Sequence, residues 1–289
     1  MRRVAIVTDT ASDLDPAAAA AAGIELVPLI ATFGEEEFLA CVNLSAQEFW
    51  EKFSTPGTAF PRTAAASAGT FQATFERCFR DGAEAVVCVT VAGTLSATLK
   101  SAQMARDALP EREIHVIDSW GASMVEGILA QVAVEMADRG VGGAEIAAEI
   151  ERRVPDCRLL FILDTLEHLV RGGRIGRGRA LVGAMLSLRP IMTVTDGIVD
   201  IVDRPRTRTK ARQRLIELVT ARPVERMAIL HTPHTEDVDR FADELASAAG
   251  VERGTLSTQV IGASIGPHVG PGAYGVAVLW RHDRDGGAR

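Results

Sequence analysis

Three polar positions stand out by their local setting: Thr63, Ser96 and His268. Thr63 lies in Pro61-Arg62-Thr63-Ala64-Ala65-Ala66-Ser67, and Ser96 in Ala92-Gly93-Thr94-Leu95-Ser96-Ala97-Thr98. Each sits at the expected start of a helix, where unpaired backbone N–H groups and the positive end of the macrodipole favour an anion. Hydroxyls placed there can hold a carboxylate. The competing reading gives Ser96 only a capping role, and Ser67 is read as a cap. His268 lies in the Gly-rich run 262–275, between Gly266-Pro267 and Gly270-Pro271-Gly272. Repeated Gly marks tight turns or close backbone approach, and an imidazole fixed there can donate to a carboxylate.

Other motifs offer less. Gly262-Ala263-Ser264-Ile265-Gly266 is a formal match to the G-x-S-x-G nucleophile elbow. That motif needs a strand-turn-helix setting, and the Gly-Pro-rich continuation argues against a helix starting promptly. Gly172-Gly173-Arg174-Ile175-Gly176-Arg177-Gly178-Arg179 resembles a phosphate cradle but follows a helix rather than a strand, so it is no dinucleotide fingerprint. Its glycines suit a helix C-cap, whereas its arginines exceed what capping needs. Arg204, Arg206, Arg208 and Lys210 add a second basic run. Asp9 and Asp13 are spaced wrongly for a phosphatase opening, and His231-x-x-His234 lacks a third metal ligand nearby. Both are read as mainly structural, and no metal site is expected.

The elements that would position these residues follow from periodicity. Apolar runs at 4–7, 24–29, 86–91 and 114–117 read as strands. They alternate with helices starting at Asp15-Pro16 and spanning 45–53, 68–81, 95–109, 121–138 and 143–153. Such alternation implies a largely parallel sheet. Residues 54–66 read as a loop. Beyond Pro155-Asp156 the pattern changes: a strand at 158–163, helices at 165–170 and 178–188, and a hairpin through Asp196-Gly197. A helix at 210–221, a strand at 227–231, a helix at 236–249 and strands at 260 and 276–280 follow. The expected fold is α/β with two lobes, a mostly parallel N-terminal lobe (1–156) and a mixed C-terminal lobe (157–289). Residues 283–289 read as a loose tail.

Composition narrows the ligand. The chain has 289 residues, 47% hydrophobic but only 5% aromatic, so a pocket wall would be aliphatic and suit an alkyl chain. Net charge is −7, which disfavours a general nucleic-acid binder. Charge is unevenly spread: residues 171–214 hold eleven Lys and Arg against three Asp, leaving the remainder at −15. That asymmetry points to an anion or acidic partner, or to a solvated basic face. Four cysteines without a CxxC pair, no visible signal peptide and no membrane-length apolar run fit a cytoplasmic protein that does not insert into a membrane.

Taken together, the motifs resemble the DegV family, whose members include the acyl-binding subunits of bacterial fatty-acid kinases. The resemblance runs over nearly the whole chain: residues 6–14 match the opening strand and turn, and Val27-Pro28-Leu29 follows. Leu95-Ser96-Ala97-Thr98 matches Leu-Ser-Gly-Thr, and Val116-Ile117-Asp118-Ser119 matches Val-Ile-Asp-Ser. Residues 166–175 match Leu-x-x-Leu-x-x-Gly-Gly-Arg-Ile, and residues 266–272 match Gly-x-His-x-Gly-Pro-Gly. The chain departs from the family at Ala64, Ala65, Ala66 and Ala97, and at Leu39-Ala40-Cys41, where the family usually has an Asp. The resemblance implies a fatty-acid carboxylate held by Thr63 and Ser96 with His268 nearby, and Arg174 and Arg206 facing a separate ATP-dependent kinase subunit. It implies no catalytic residue and no cofactor in this chain beyond the bound fatty acid, and a place in phospholipid metabolism. Two alternatives stay open: an esterase using Ser264, and a lipid-sensing regulatory module.

Overall fold

The computed structural model describes residues 3–177, 188–233, 235 and 237–282. The helix expected over 178–188 falls almost wholly outside them, as do Arg179, His234, Glu236 and the tail at 283–289.

The N-terminal half is built from strand-helix units. β1 (Val4–Asp9) leads through one 3-10 turn to α1 (Pro16–Ala22), which starts where Asp15 caps Ala18 N and Pro16 fills the first turn. β2 (Ile24–Val27), β3 (Ile30–Phe33) and β4 (Glu36–Leu39) follow, then α2 (Ala46–Ser54). A reciprocal capping box between Ser45 and Glu48 opens α2. Next come β5 (Arg62–Ala64), α3 (Ala68–Arg80), β6 (Ala85–Thr90), α4 (Thr98–Asp107) and β7 (Glu113–Asp118), then α5 (Met124–Asp138) and α6 (Gly143–Arg153). β2, β1, β6 and β7 form a wholly parallel sheet in that order.

The C-terminal half runs β8 (Cys157–Ile162), α7 (Glu167–Arg171), β9 (Ile191–Thr195), β10 (Ile198–Asp203), α8 (Arg208–Val219) and β11 (Val224–His231). It ends with α9 (Val238–Ala249), β12 (Ser257–Val260), α10 (Gly266–Val269) and β13 (Tyr274–Trp280). Its six strands order as β10-β9-β8-β13-β11-β12, antiparallel except for β11 and β12. The expected hairpin is present: Asp196 and Gly197 both take positive φ, at 51° and 69°, as a type I′ turn requires. α5 is almost entirely buried and packs against strands of both sheets, so one apolar cluster spans the two halves.

Three expectations fail in ways that matter for the site. The stretch read as a loop over 54–66 contains β5, which pairs with β3 in a small third sheet, so Thr63 is a strand residue opposite Ala31. The helix expected from residue 95 begins at Thr98, because residues 92–97 close a turn in which the backbone N–H groups of Leu95 and Ser96 both donate to Ala92 O. Third, a one-turn helix (α10) does follow Ser264, since Pro267 is tolerated in a first turn.

Candidate functional site

The parallel sheet ends its strands on one edge, and the segments leaving them meet the inner face of the mixed sheet. Between them lies a cavity of about 200 Å³. Ala11 after β1, Leu29 after β2, Val91 and Leu95 after β6 and Ala122 after β7 line it from one side. Leu159, Phe161, Val194, Val199 and Leu230 line it from the other. This is the carboxyl-end position where open α/β sheets take ligands. The walls are aliphatic, with Phe161 and Tyr274 the aromatic contributions.

Thr63, Ser96 and His268 all line this one cavity, although they come from β5, the turn before α4, and α10. Thr63 Oγ1 and His268 Nε2 are 2.9 Å apart and hydrogen-bonded. Ser96 lies ahead of the helix rather than in its first turn. Its Oγ accepts from Thr98 N at 3.3 Å and shares a 2.8 Å bond with Thr98 Oγ1, while the N-cap position itself is Ala97. Ala64, Ala65 and Ala97 line the cavity too, so three of the alanines noted above stand beside the polar residues.

Arg174 belongs with them. It lines the cavity, and its guanidinium donates to Leu95 O at 3.1 Å and Gly172 O at 2.6 Å. Burial and this guanidinium push His268 down to about 4, so the imidazole is neutral at physiological pH. A neutral ring with Nε2 bonded to a hydroxyl can donate or accept there, depending on tautomer. Outside the cavity runs a groove of about 740 Å³ that shares Thr63, Arg174 and His268 and adds Arg62 and Arg171, with no Asp or Glu in its lining. Neither Arg62 nor Arg171 is a site candidate by sequence, though each is close in the chain to a residue that is.

Arg206 is elsewhere: it is exposed in the turn before α8 and lines neither cavity nor groove. The +8 stretch is also less bare than its count suggests. Ion pairs engage Arg171 with Glu167, Arg177 with Asp200, Arg208 with Asp164, Arg212 with Asp237 and Glu244, and Arg214 with Asp203 and Glu217. Much of that segment is therefore a paired surface.

Ser264 lines the cavity but shares a 2.9 Å hydrogen bond with Thr10 Oγ1, which itself accepts from Leu29 N. No base is among its hydrogen-bond partners, so the elbow pattern lacks the nucleophile-base pair that esterase chemistry needs. Asp9 accepts from Ala11 N and Val91 N, a structural role. Asp13 accepts from Ser123 Oγ and Gly262 N. Burial raises Asp9 to about 6 and Asp13 to about 7. Glu126 on α5 is fully buried, pushed well above the ordinary range by burial, and neither carboxyl oxygen has a hydrogen-bond partner. Among the described residues no cluster of His, Cys, Asp and Glu could hold a metal ion, and no helix is long and apolar enough to cross a membrane.

An aliphatic cavity thus lies between the two sheets, with hydroxyls, an imidazole and a guanidinium gathered on part of its wall. The chain belongs to the DegV family: the family described as uncharacterised protein, DegV family, matches residues 3–281. A DegV domain-containing protein of Caldanaerobacter subterraneus subsp. tengcongensis is 30% identical over 280 residues, covering 96% of this chain and 98% of that protein. The DegV family protein of Thermus thermophilus, whose structure concerns fatty acid binding, superposes with a TM-score of 0.89 at 31% identity. The match covers 97% of this chain and all of that one. DegV of Bacillus subtilis, a fatty acid binding protein, gives 0.85 at 27% identity, with 97% and 100% covered. The α/β architecture expected from the sequence is that of these proteins.

Proposed function

We propose that this chain binds one long-chain fatty acid, with its acyl chain buried between the lobes 1–156 and 157–289 and its carboxylate held by Thr63, Ser96 and His268. It presents that carboxylate to an ATP-dependent kinase subunit for acyl-phosphate formation, in the cytoplasm, as a step of phospholipid metabolism. The chain is the carrier and the partner supplies catalysis. The observation that carries the reading is the aliphatic cavity in which Thr63, Ser96, Arg174 and His268 converge. The fatty-acid-binding relatives of the same fold support it.

The energetics fit. Burying about fifteen methylenes contributes roughly 12 kcal/mol at about 0.8 kcal/mol each. Association and ordering remove about 4–15 kcal/mol of that. The tail supplies affinity, while head-group hydrogen bonds, about 1.5–3 kcal/mol each to a charged group, set orientation and reject ligands lacking the acid. The groove holding Arg62, Arg171 and Arg174 beside the head group suits the approach of a phosphoryl group.

Titration calorimetry with palmitic acid and with hexadecanol tests the binding half: the acid should bind and the alcohol should bind far more weakly. Equal affinity would contradict the head-group assignment. Pull-down of the kinase subunit tests the other half, with capture lost on charge reversal of Arg174 and Arg206.

A further inference from the structure

Two short helices lock into each other beside the head-group site. Gly172 caps the C-terminus of α7 and Gly270 that of α10. A Cβ added at Gly172 would run into Nδ1 of His268, and a Cβ added at Gly270 would run into the ring of His168. The contact is reciprocal: the histidine of each helix lies over the capping glycine of the other. His168 does more than fill this space. Its ring stacks on Phe60, with centroids 5.7 Å apart and planes at 18°, and meets the edge of Phe53 at 5.7 Å and 72°. Arg171 covers the same Phe60 ring, 3.8 Å from its centroid.

Phe60 lies just ahead of β5, which carries Thr63, and Gly270 closes the turn that carries His268. The two residues that touch His168 therefore flank the two residues that make the 2.9 Å Thr63–His268 bond. His168 Nδ1 is buried and has no hydrogen-bond partner, so ring packing, rather than a polar contact at that atom, holds the side chain. It lines neither the cavity nor the groove outside it.

We infer that His168 is a positioning residue for head-group recognition: by bracing Phe60 on one side and Gly270 on the other, it sets the Thr63–His268 contact. This rests on the fatty-acid reading above, and the test separates the two. Ring ¹⁵N shifts of His268 report its Nε2 hydrogen bond in the ligand-free protein, and calorimetry reports palmitic acid against hexadecanol. His168→Leu should shift the His268 Nε2 resonance and weaken the acid about tenfold, the scale of one hydrogen bond to a charged group. Alcohol binding should change less than about twofold, since the ring touches no part of the cavity. His168→Phe, which keeps a stacking ring, should restore both readouts. Phe60→Leu approaches the contact from the other side and should mimic His168→Leu, which keeps the test decisive if one variant folds poorly. An unmoved His268 resonance in both leucine variants overturns the inference, as does an equal loss of acid and alcohol affinity. Absence of acid binding in the unsubstituted protein would overturn the fatty-acid reading instead, while the resonance would still judge His168.

Discussion

Two polar layers lie side by side at the carboxyl edge of the parallel sheet and treat buried polarity in opposite ways. The mouth layer (Thr63, Ser96, Arg174 and His268) offers hydroxyls, a neutral imidazole and a guanidinium to the cavity. The layer behind it holds Asp9, Asp13 and Glu126, all acids and all buried. Ser123 links the two, since it lines the cavity and donates to Asp13. A carboxylate ligand would be repelled by a charged acidic layer. Burial raises all three, Asp9 to about 6, Asp13 to about 7 and Glu126 well above its ordinary range, which lessens that repulsion. The mouth thus presents polar groups to the cavity, and the layer behind carries less charge than three acids in water would.

The comparison can be broken at the mouth first, where the effect is largest. Thr63→Ala combined with Ser96→Ala removes two hydrogen bonds to a charged group, about 1.5–3 kcal/mol each, so palmitic acid should weaken by roughly a hundredfold or more. Hexadecanol should weaken far less. Parallel losses would show that the hydroxyls serve only packing.

The acidic layer predicts a pH signature. Asp9 and Asp13 bind protons more tightly folded than unfolded, having risen from 3.8 to about 6 and about 7. Their contribution to stability is fully present below the unfolded value and is lost as pH rises through the folded ones. The loss should amount to a few kcal/mol, read as a falling denaturation midpoint across that window. Asp13→Asn should flatten the decline. A midpoint that rises over the same window in the unsubstituted protein would contradict the assignment.

Glu126→Gln comes next in size. It replaces a buried carboxyl that lacks partners with a neutral group of the same shape, and should raise stability above neutral pH by about 1 kcal/mol while changing little at low pH. Least of all, Arg206→Glu should alter fatty-acid affinity by less than about twofold, because this exposed side chain lines neither cavity nor groove.

Local physics made much of this legible. Asp15 with Pro16 and Asp196-Gly197 each announce their structure over a few residues, and each formed as read. Ser96 and His268 stood out through their local frames. β5 did not: three residues, Arg62–Ala64, form a strand only because β3 supplies the ladder. The third sheet was invisible for the same reason. Arg174 lines both the cavity and the groove outside it, and the hydrogen bonds of its guanidinium to Leu95 O and Gly172 O, which place it at the mouth, join segments far apart in the chain. The charge of residues 171–214 misled because its counterions come from elsewhere in the chain, such as Asp164, Asp237 and Glu244. His168 carried no signal at all, since Phe60 and Gly270 are remote in sequence and meet it only in the fold.

The most direct test of the central claim is to extract lipid from the purified protein and identify it by mass spectrometry, followed by uptake of added fatty acid. The account predicts one acyl chain per protein, recovered as the free acid and replaced by added palmitic acid. Protein free of acyl chains that also takes up no added fatty acid would contradict it.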